Sequence, residues 1–240
     1  MKRLIGLMVL ALALVGGHWM KPSQAAERTP IILGKDTPGG VFELYGRVLA
    51  EVVNSKDASH NVLSRNTHGS SQNIPLLLQG TLDVALVASL PAREAFEGIE
   101  RDAPTTLRII TTIYPAFGAF ALKGDSPAKI FSDLVGQRVS CGTNSSGLTL
   151  LGQYVTDALG LDRDRDFDAV YLKRAGQDAP MVLNGEMATQ WGGGVGLPNF
   201  TKIMQAGGRL AGLSDDLIKE INAKYSFLQS FTIPAGYYPG

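Results

Sequence analysis

Short apolar runs alternate with longer amphipathic stretches along most of this sequence. Residues 30–34 form the first compact apolar run, which is typical of a buried strand. In the stretch that follows, 40–54, apolar residues recur every three or four positions and predict a helix with one buried face. By the same criteria we predict strands near 62–66, 84–87, 107–113, 119–122, 138–141, 169–173 and 187–191, and helices near 74–78, 148–159, 180–183, 200–204 and 214–223.

This alternation is typical of βαβ units, so it predicts an α/β fold in which each sheet is mostly parallel and flanked by helices. The 240 residues are enough for two such lobes with a cleft between them. We assign 27–122 to the first lobe and 123–232 to the second. The crossing between the lobes is expected near Leu122, where the rhythm of helices and strands starts afresh.

The first 26 residues have the features of a secretory signal peptide. Two basic residues precede an apolar run from Leu4 to Val15, and the small pair Ala25 and Ala26 ends the stretch. A membrane anchor is the alternative, but it needs roughly 20 apolar residues, and this run is shorter. We therefore expect export of the chain with removal of 1–26.

The charge balance excludes one class of partner. The 22 basic residues are matched by 22 acidic residues, and no basic stripe is present, which argues against binding to nucleic acid. The single cysteine, Cys141, has no basic neighbour in sequence and lies within an alternation of apolar and polar residues. We interpret it as a small buried strand residue rather than a nucleophile.

Three motifs come close to known cofactor or metal sites, but each lacks a required residue. Residues 142–149 have the spacing of a phosphate-binding P-loop with Leu148 in place of the lysine. The glycines of 192–196 lack the spacing G-x-G-x-x-G of dinucleotide sites. The aspartates of 162–168 alternate as in a calcium loop, but Phe167 takes the place of the glycine. We therefore predict no cofactor and no metal.

Two strand-to-helix turns carry the most informative chemistry, TPGG at 37–40 and GTNSSG at 142–147. Backbone N–H groups at the start of a helix favour an anionic group, and small residues allow it to approach closely. Polar groups of a third turn, HGSSQN at 68–73, could complete such a pocket. The alternative is that these are ordinary helix caps, which Ser, Thr and Asn favour in any case. Three similar turns favour a pocket for a small anionic or zwitterionic metabolite.

Longer motifs point to a family. They are ILGKDTPGGVF, THGSSQNIPLLLQGTLDVALVAS, RVSCGTNSSG, LNGEMATQWGGGVGLPN and AKYSFLQSFTIPAGYYPG, and they extend from residue 31 to residue 240. Together they resemble the TAXI family, the periplasmic solute receptors of tripartite ATP-independent (TRAP) transporters. The resemblance implies a two-lobed periplasmic-binding-protein fold, type II-like, that closes like a hinge on an amino-acid-like or organic-acid ligand. It also implies delivery of the ligand to the TRAP membrane permease, with no catalysis.

The same resemblance assigns residues to the two walls of the cleft. The first-lobe wall would consist of Thr37, Gly39, Gly40, Ser70, Ser71, Asn73 and Ser89, with Tyr114 near the hinge. The second-lobe wall would consist of Thr143, Asn144, Ser145, Ser146 and Gly147, with Trp191, Gly193 and Pro198 closing the far end. The family continues past IPAGYYPG, so the resemblance implies that 233–240 begins a return to the first lobe and that the chain is truncated.

Two other functions remain open. A sensory subunit that docks on a membrane receptor kinase or regulator would use the same pocket. An exported hydrolase could use Ser145 or Ser71 with His68, but neither serine lies in a G-x-S-x-G elbow, which argues against it.

Overall fold

A computed structural model describes residues 28–100, 102–115, 117–193 and 196–238. The predicted signal peptide, 1–26, lies outside these residues. Strands and helices alternate along the described chain, as the apolar pattern predicts, and the strands form two separate sheets. None of the helices described is long and apolar enough to cross a membrane.

The first half of the chain builds a three-stranded parallel sheet. Its elements are β1 (Thr29–Gly34), α1 (Val41–Lys56), β2 (His60–Arg65), α2 (Ser70–Leu78), β3 (Val84–Ala85) and α3 (Ser89–Glu97). The strand order is β2-β1-β3, with Thr29 opposite His60 and Leu33 opposite Val84. Ala50 of α1 packs with Leu33 in a small buried cluster, so this side of α1 covers the sheet. Leu44, Val48 and Val52 of the same helix are exposed, which differs from the single buried face that the apolar pattern predicts.

The second half builds a five-stranded sheet. Its elements are β4 (Gly118–Leu122), a 3-10 helix (Phe131–Leu134), β5 (Arg138–Thr143), α4 (Gly147–Ala158), α5 (Arg163–Asp166), β6 (Asp168–Leu172), α6 (Asp178–Leu183), β7 (Thr189–Gly193), α7 (Pro198–Gln205), β8 (Arg209–Ala211) and α8 (Asp215–Lys224). The strand order is β6-β5-β7-β4-β8. β5 is parallel to β6 and β7, whereas β4 is antiparallel to β7 and β8.

Buried apolar clusters lie on both faces of this larger sheet. Phe120 and Leu122 of β4 pack with Phe131 and Trp191, whereas Ala121 between them packs with Phe200 in a second cluster. Successive residues of a strand point to opposite faces, so the sheet is covered on both sides. Cys141 lies in β5 and is 2% exposed, which confirms its prediction as a buried strand residue. Burial also raises the pKa of its thiol to about 11.

Two predictions about the middle of the chain were wrong. β4 was assigned to the first lobe, but it pairs only with strands of the five-stranded sheet, so the chain crosses before Gly118 and not near Leu122. The strand predicted at 107–113 is absent, because this apolar stretch has no neighbouring strand among the described residues. Ile109 and Ile110 are instead 64% and 80% exposed.

The segment after residue 232 packs on the second half as far as the structure describes it. Tyr238 contacts the buried cluster that includes Phe200, and its hydroxyl accepts a hydrogen bond from Gly196 N–H at 2.9 Å. That residues 233–240 begin a return to the first lobe therefore stays a prediction.

The two halves touch each other directly. Ser71 N–H, at the start of α2, donates to the carbonyl of Ser145 at 3.0 Å. Farther along the contact, the Tyr154 hydroxyl on α4 donates to Glu94 Oε1 on α3 at 2.9 Å. The two halves are therefore in direct contact, with helix termini from both facing one another.

Candidate functional site

A cleft of about 290 Å³ lies between the two halves, and residues of both line it. A volume of this size is at the lower end of the range for small-molecule sites. The first half contributes the turns that follow β1 and β3. The second half contributes the turn between β5 and α4, the end of β7 and the start of α7.

The first wall is the turn between β1 and α1. Gly40 is the N-cap of α1, and its N–H donates to the carbonyl of Thr37 at 3.0 Å. No side chain caps the helix, so its first N–H groups are available at the cleft. Gly39 has a φ of 87°, and a Cβ placed on it would lie 3.0 Å from the carbonyl oxygen of Ala175 in the second half. Glycine is therefore needed here for both the turn and the close approach.

The second wall is the turn between β5 and α4. Ser146 is the N-cap of α4, and its hydroxyl accepts a hydrogen bond from Leu148 N–H at 3.1 Å. The turn requires left-handed backbone at Gly142 and at Ser145, with φ values of 81° and 67°. The positive end of α4 therefore points toward the cleft, as the GTNSSG motif predicts.

Trp191 of β7 forms part of the lining of the cleft. Its ring is 5% exposed, and its Nε1 donates to the carbonyl of Leu148 at 2.8 Å, which ties β7 to the first turn of α4. A Cβ on Gly118 would lie 2.0 Å from the Trp191 ring, so the neighbouring strand must carry glycine at this position. The indole is therefore held rigidly where β7 reaches the cleft.

Most of the predicted wall residues lie along the cleft. They are Gly39, Gly40, Ser70, Tyr114, Thr143, Ser146, Gly147, Trp191 and Gly193. They come from both halves, and the fold brings them together from distant parts of the sequence. That they contact a ligand stays a prediction.

The structure places the other predicted residues away from the described lining of the cleft; they are Thr37, Ser71, Asn73, Ser89, Asn144, Ser145 and Pro198. Asn73 serves the fold, because its side-chain amide donates to the carbonyls of Lys35 and Leu86, both at 2.8 Å. Ser71 and Ser145 pair with each other across the halves through their backbone. These three residues therefore help to hold the cleft together.

The acidic groups of the cleft were not predicted from the sequence. Asp36 precedes the first turn, and Asp178 lies at the start of α6, and both line the cleft. Burial raises the pKa of each carboxyl group above its ordinary value. No sequence pattern distinguishes them from surface aspartates, because their position depends on how the chain folds. The amide side chain of Gln190 was missed for the same reason.

Several buried polar atoms at the cleft have no hydrogen-bond partner. They are Tyr114 Oη, Asp178 Oδ1 and Gln190 Oε1. Buried polar atoms are almost always paired, so these three atoms are the ones at the cleft with which a polar ligand or an ordered water would pair. Burial and the nearby Asp36 also raise the pKa of Tyr114, so its hydroxyl stays neutral and can donate a hydrogen bond.

The solved structures most relevant to this geometry are two-lobed periplasmic binding proteins. A protein described as a periplasmic transporter matches with a TM-score of 0.53 and 18% identity, over 80% of this chain and 66% of its own. The alkanesulfonate-binding protein SsuA from Xanthomonas axonopodis pv. citri, bound to MOPS, matches with a TM-score of 0.52 and 16% identity, over 80% of this chain and 63% of its own. A point mutant of arginine-bound ArgBP from T. maritima matches with a TM-score of 0.51 and 13% identity, over 83% and 96%.

These similarities define the fold class as the two-lobed periplasmic-binding-protein fold, which confirms the predicted fold class. The chain belongs to the NMT1-like family, whose model matches residues 33–240. It spans less than two thirds of the length of the first two proteins compared above.

Proposed function

We propose that this protein is a periplasmic solute receptor that binds a small carboxylate or amino-acid-like metabolite between its lobes and delivers it to a membrane transporter of the TRAP type. The observation that carries the proposal is the cleft itself. Its walls come from two different halves, and these halves contact each other beside it. A ligand that bridges both walls would stabilise this closed form.

Three other observations support the proposal. The chain has the fold of periplasmic binding proteins and belongs to the NMT1-like family. Two of the structurally similar proteins are an alkanesulfonate-binding protein bound to MOPS and an arginine-bound ArgBP, so this fold accommodates small charged ligands. The motifs from 31 to 240 resemble TAXI receptors, which favours a TRAP permease as the partner. The predicted signal peptide agrees with a periplasmic location.

A hydrolase receives little support from the geometry. Ser145 has its carbonyl engaged with Ser71 N–H. Within the described residues, no hydrogen bond joins the His68 ring to either serine, although such a pair is what activates a serine nucleophile. We therefore propose binding without catalysis.

Thermal unfolding with a panel of small metabolites tests the binding step. A ligand at a hundred times its Kd stabilises by about 2.7 kcal/mol, which raises Tm by roughly 5–10 °C for a chain of this size. Asn199→Trp, on the α7 side of the cleft, should remove the shift because the indole fills ligand space. Lys202→Trp, at an exposed position of the same helix, is the matched control and should respond like the wild type.

Transport and location are tested separately. Uptake into proteoliposomes that hold a TRAP permease should require the receptor and proceed without ATP. Uptake that occurs only with an ATP-driven permease would contradict the assignment of transporter. Periplasmic extracts should contain a chain that has lost residues 1–26, as measured by intact mass.

A further inference from the structure

The described lining of the cleft is acidic. Its ionisable side chains, apart from tyrosine, are Asp36 and Asp178, one from each half. Lysine, arginine and histidine are absent from that lining within the described residues. A ligand whose only charges are negative would therefore meet two carboxyl groups and no cationic side chain, which is unfavourable at short range.

The Asp36 carboxyl group lies beside the start of α1. Its Oδ1 accepts a hydrogen bond from Thr37 N–H at 2.7 Å. Its Oδ2 lies so close to Gly40, the N-cap of α1, that a Cβ there would be 2.7 Å away. A carboxylate at a helix N-terminus is stabilised by the helix dipole. The first wall therefore holds a carboxyl group of the protein beside the start of α1, and burial raises the pKa of that group.

Asp178 presents the opposite situation, because half of its carboxyl group has no partner. The side chain is 2% exposed, and Oδ2 accepts a hydrogen bond from the Ser140 hydroxyl at 2.7 Å. Oδ1 is buried without a well-formed hydrogen bond, and the backbone N–H groups of Asp178 and Ala179 lie near the carboxyl group. A buried carboxylate in this state is unfavourable unless a cation or a donor pairs with it.

Gln190 places a second unpaired acceptor on the next strand. Val139 of β5 lies opposite Thr189 of β7 in a parallel pair, so Ser140 and Gln190 are neighbours on adjacent strands. The side chain of Gln190 is 4% exposed, and its Oε1 also lacks a partner. Two unpaired acceptors therefore line the same cleft, on the side built by the five-stranded sheet.

We propose that the ligand of this cleft carries a protonated amine, which donates hydrogen bonds to Asp178 Oδ1 and Gln190 Oε1. This inference rests on the proposed function and narrows its ligand class. The N-terminus of α4 and the Tyr114 hydroxyl remain as donors for a carboxylate at the other end of the ligand. The ligand is then an amino acid or another small amine, and simple carboxylates and sulfonates are disfavoured.

Matched pairs of probes test this on the wild-type chain. Alanine is compared with lactate, leucine with 2-hydroxyisocaproate, and glutamate with 2-hydroxyglutarate, with putrescine and ethanesulfonate as purely cationic and purely anionic probes. Thermal shift and calorimetry should show binding by at least one amine-bearing probe and at least about 10- to 100-fold weaker binding of its deaminated partner, as expected for loss of a charged hydrogen bond.

The Asp178→Asn variant tests the role of the carboxylate. Asparagine has the same shape and can still accept the Ser140 hydrogen bond, so the fold should survive. Affinity for the amine-bearing probe should fall by about 10- to 100-fold. Asp125→Asn, at an exposed position outside the cleft, is the control and should bind like the wild type.

The other outcomes distinguish failure of the amine inference from failure of the proposed receptor function. If 2-hydroxy acids or ethanesulfonate bind the wild type as tightly as amines, and Asp178→Asn retains that binding, then Asp178 acts as a protonated donor to an anion. The inference is then overturned while the proposed receptor function stands. If no probe shifts Tm and no small molecule is extracted from the purified protein, the receptor function itself fails. If Asp178→Asn does not fold, the matched pairs on the wild type decide alone.

Discussion

Gly147 lies where the two halves approach closely, and replacing it with alanine should hinder closure of the cleft. A Cβ at this position would lie 2.4 Å from Ala88 Cβ, 3.1 Å from Ser70 Oγ and 3.3 Å from Pro91 Cγ. All three atoms belong to the first half, whereas Gly147 begins α4 in the second. Because all three atoms lie in the other half, Gly147→Ala introduces a clash between the halves. It introduces none of these three clashes within the second half itself.

The size of the effect follows from these distances. Carbon atoms pack at about 3.5–4.0 Å, so the gap would have to widen by at least about 1 Å. Overpacking of this kind destabilises a structure by about 1–3 kcal/mol, and here it destabilises only the closed form. Affinity should then fall by about 5- to 150-fold. Gly147 is the first residue of α4, so the substitution leaves the interior of the helix unchanged and the second half should not unfold more easily.

Calorimetry and small-angle X-ray scattering would measure this, with the amine-bearing probe that stabilises the wild type most. At a saturating concentration of that probe, Gly147→Ala should have a larger radius of gyration than the wild type. Gln153→Ala, at an exposed position of α4, is the control and should match the wild type in both measurements. Unchanged affinity and unchanged scattering for Gly147→Ala would refute the idea that the observed closed contact is the ligand-bound form.

Three further predictions concern stability. Burial raises the pKa of Asp178 in the folded protein above its ordinary value. The resulting contribution to stability is fully present below the ordinary pKa and is lost as pH rises through the raised pKa. Asp178→Asn should therefore flatten that part of the curve of unfolding free energy against pH. Asn73→Leu leaves the buried Leu86 carbonyl without a donor, whereas the Lys35 carbonyl keeps the Thr67 hydroxyl, and it should lower the free energy of unfolding by about 1–3 kcal/mol in urea denaturation. Gly118→Ala places a Cβ 2.0 Å from the Trp191 ring and should cost about 1–3 kcal/mol, and an unchanged midpoint would contradict that packing.

The regular elements were largely predictable because their periodicity reports local burial. The repeat of apolar residues in 40–54 marks α1, although Leu44, Val48 and Val52 of that repeat are exposed, and the compact run at 30–34 marks β1. The same signal failed at 107–113, because an apolar run can form a strand only where a neighbouring strand pairs with it. Pairing is a property of the whole fold and cannot be read from one segment.

The turns of the site were predictable for a related reason. Glycine and serine at 37–40 and 142–147 mark backbone conformations that few other residues adopt, such as the φ of 87° at Gly39. Charge at the site was not predictable. Asp36 and Asp178 resemble any other aspartate in sequence, and only the fold buries them beside one cleft. Asn73 was misplaced because α2 directs it inward to main-chain carbonyls.

A crystal structure of the full chain with its tightest amine-bearing probe is the most direct measurement of how this protein binds a ligand. The probe should lie between the lobes, with its nitrogen within hydrogen-bonding distance of Asp178 and with contacts to the turns at both Gly40 and Ser146. A probe that touches only one half, or binds outside the cleft between them, would contradict this account.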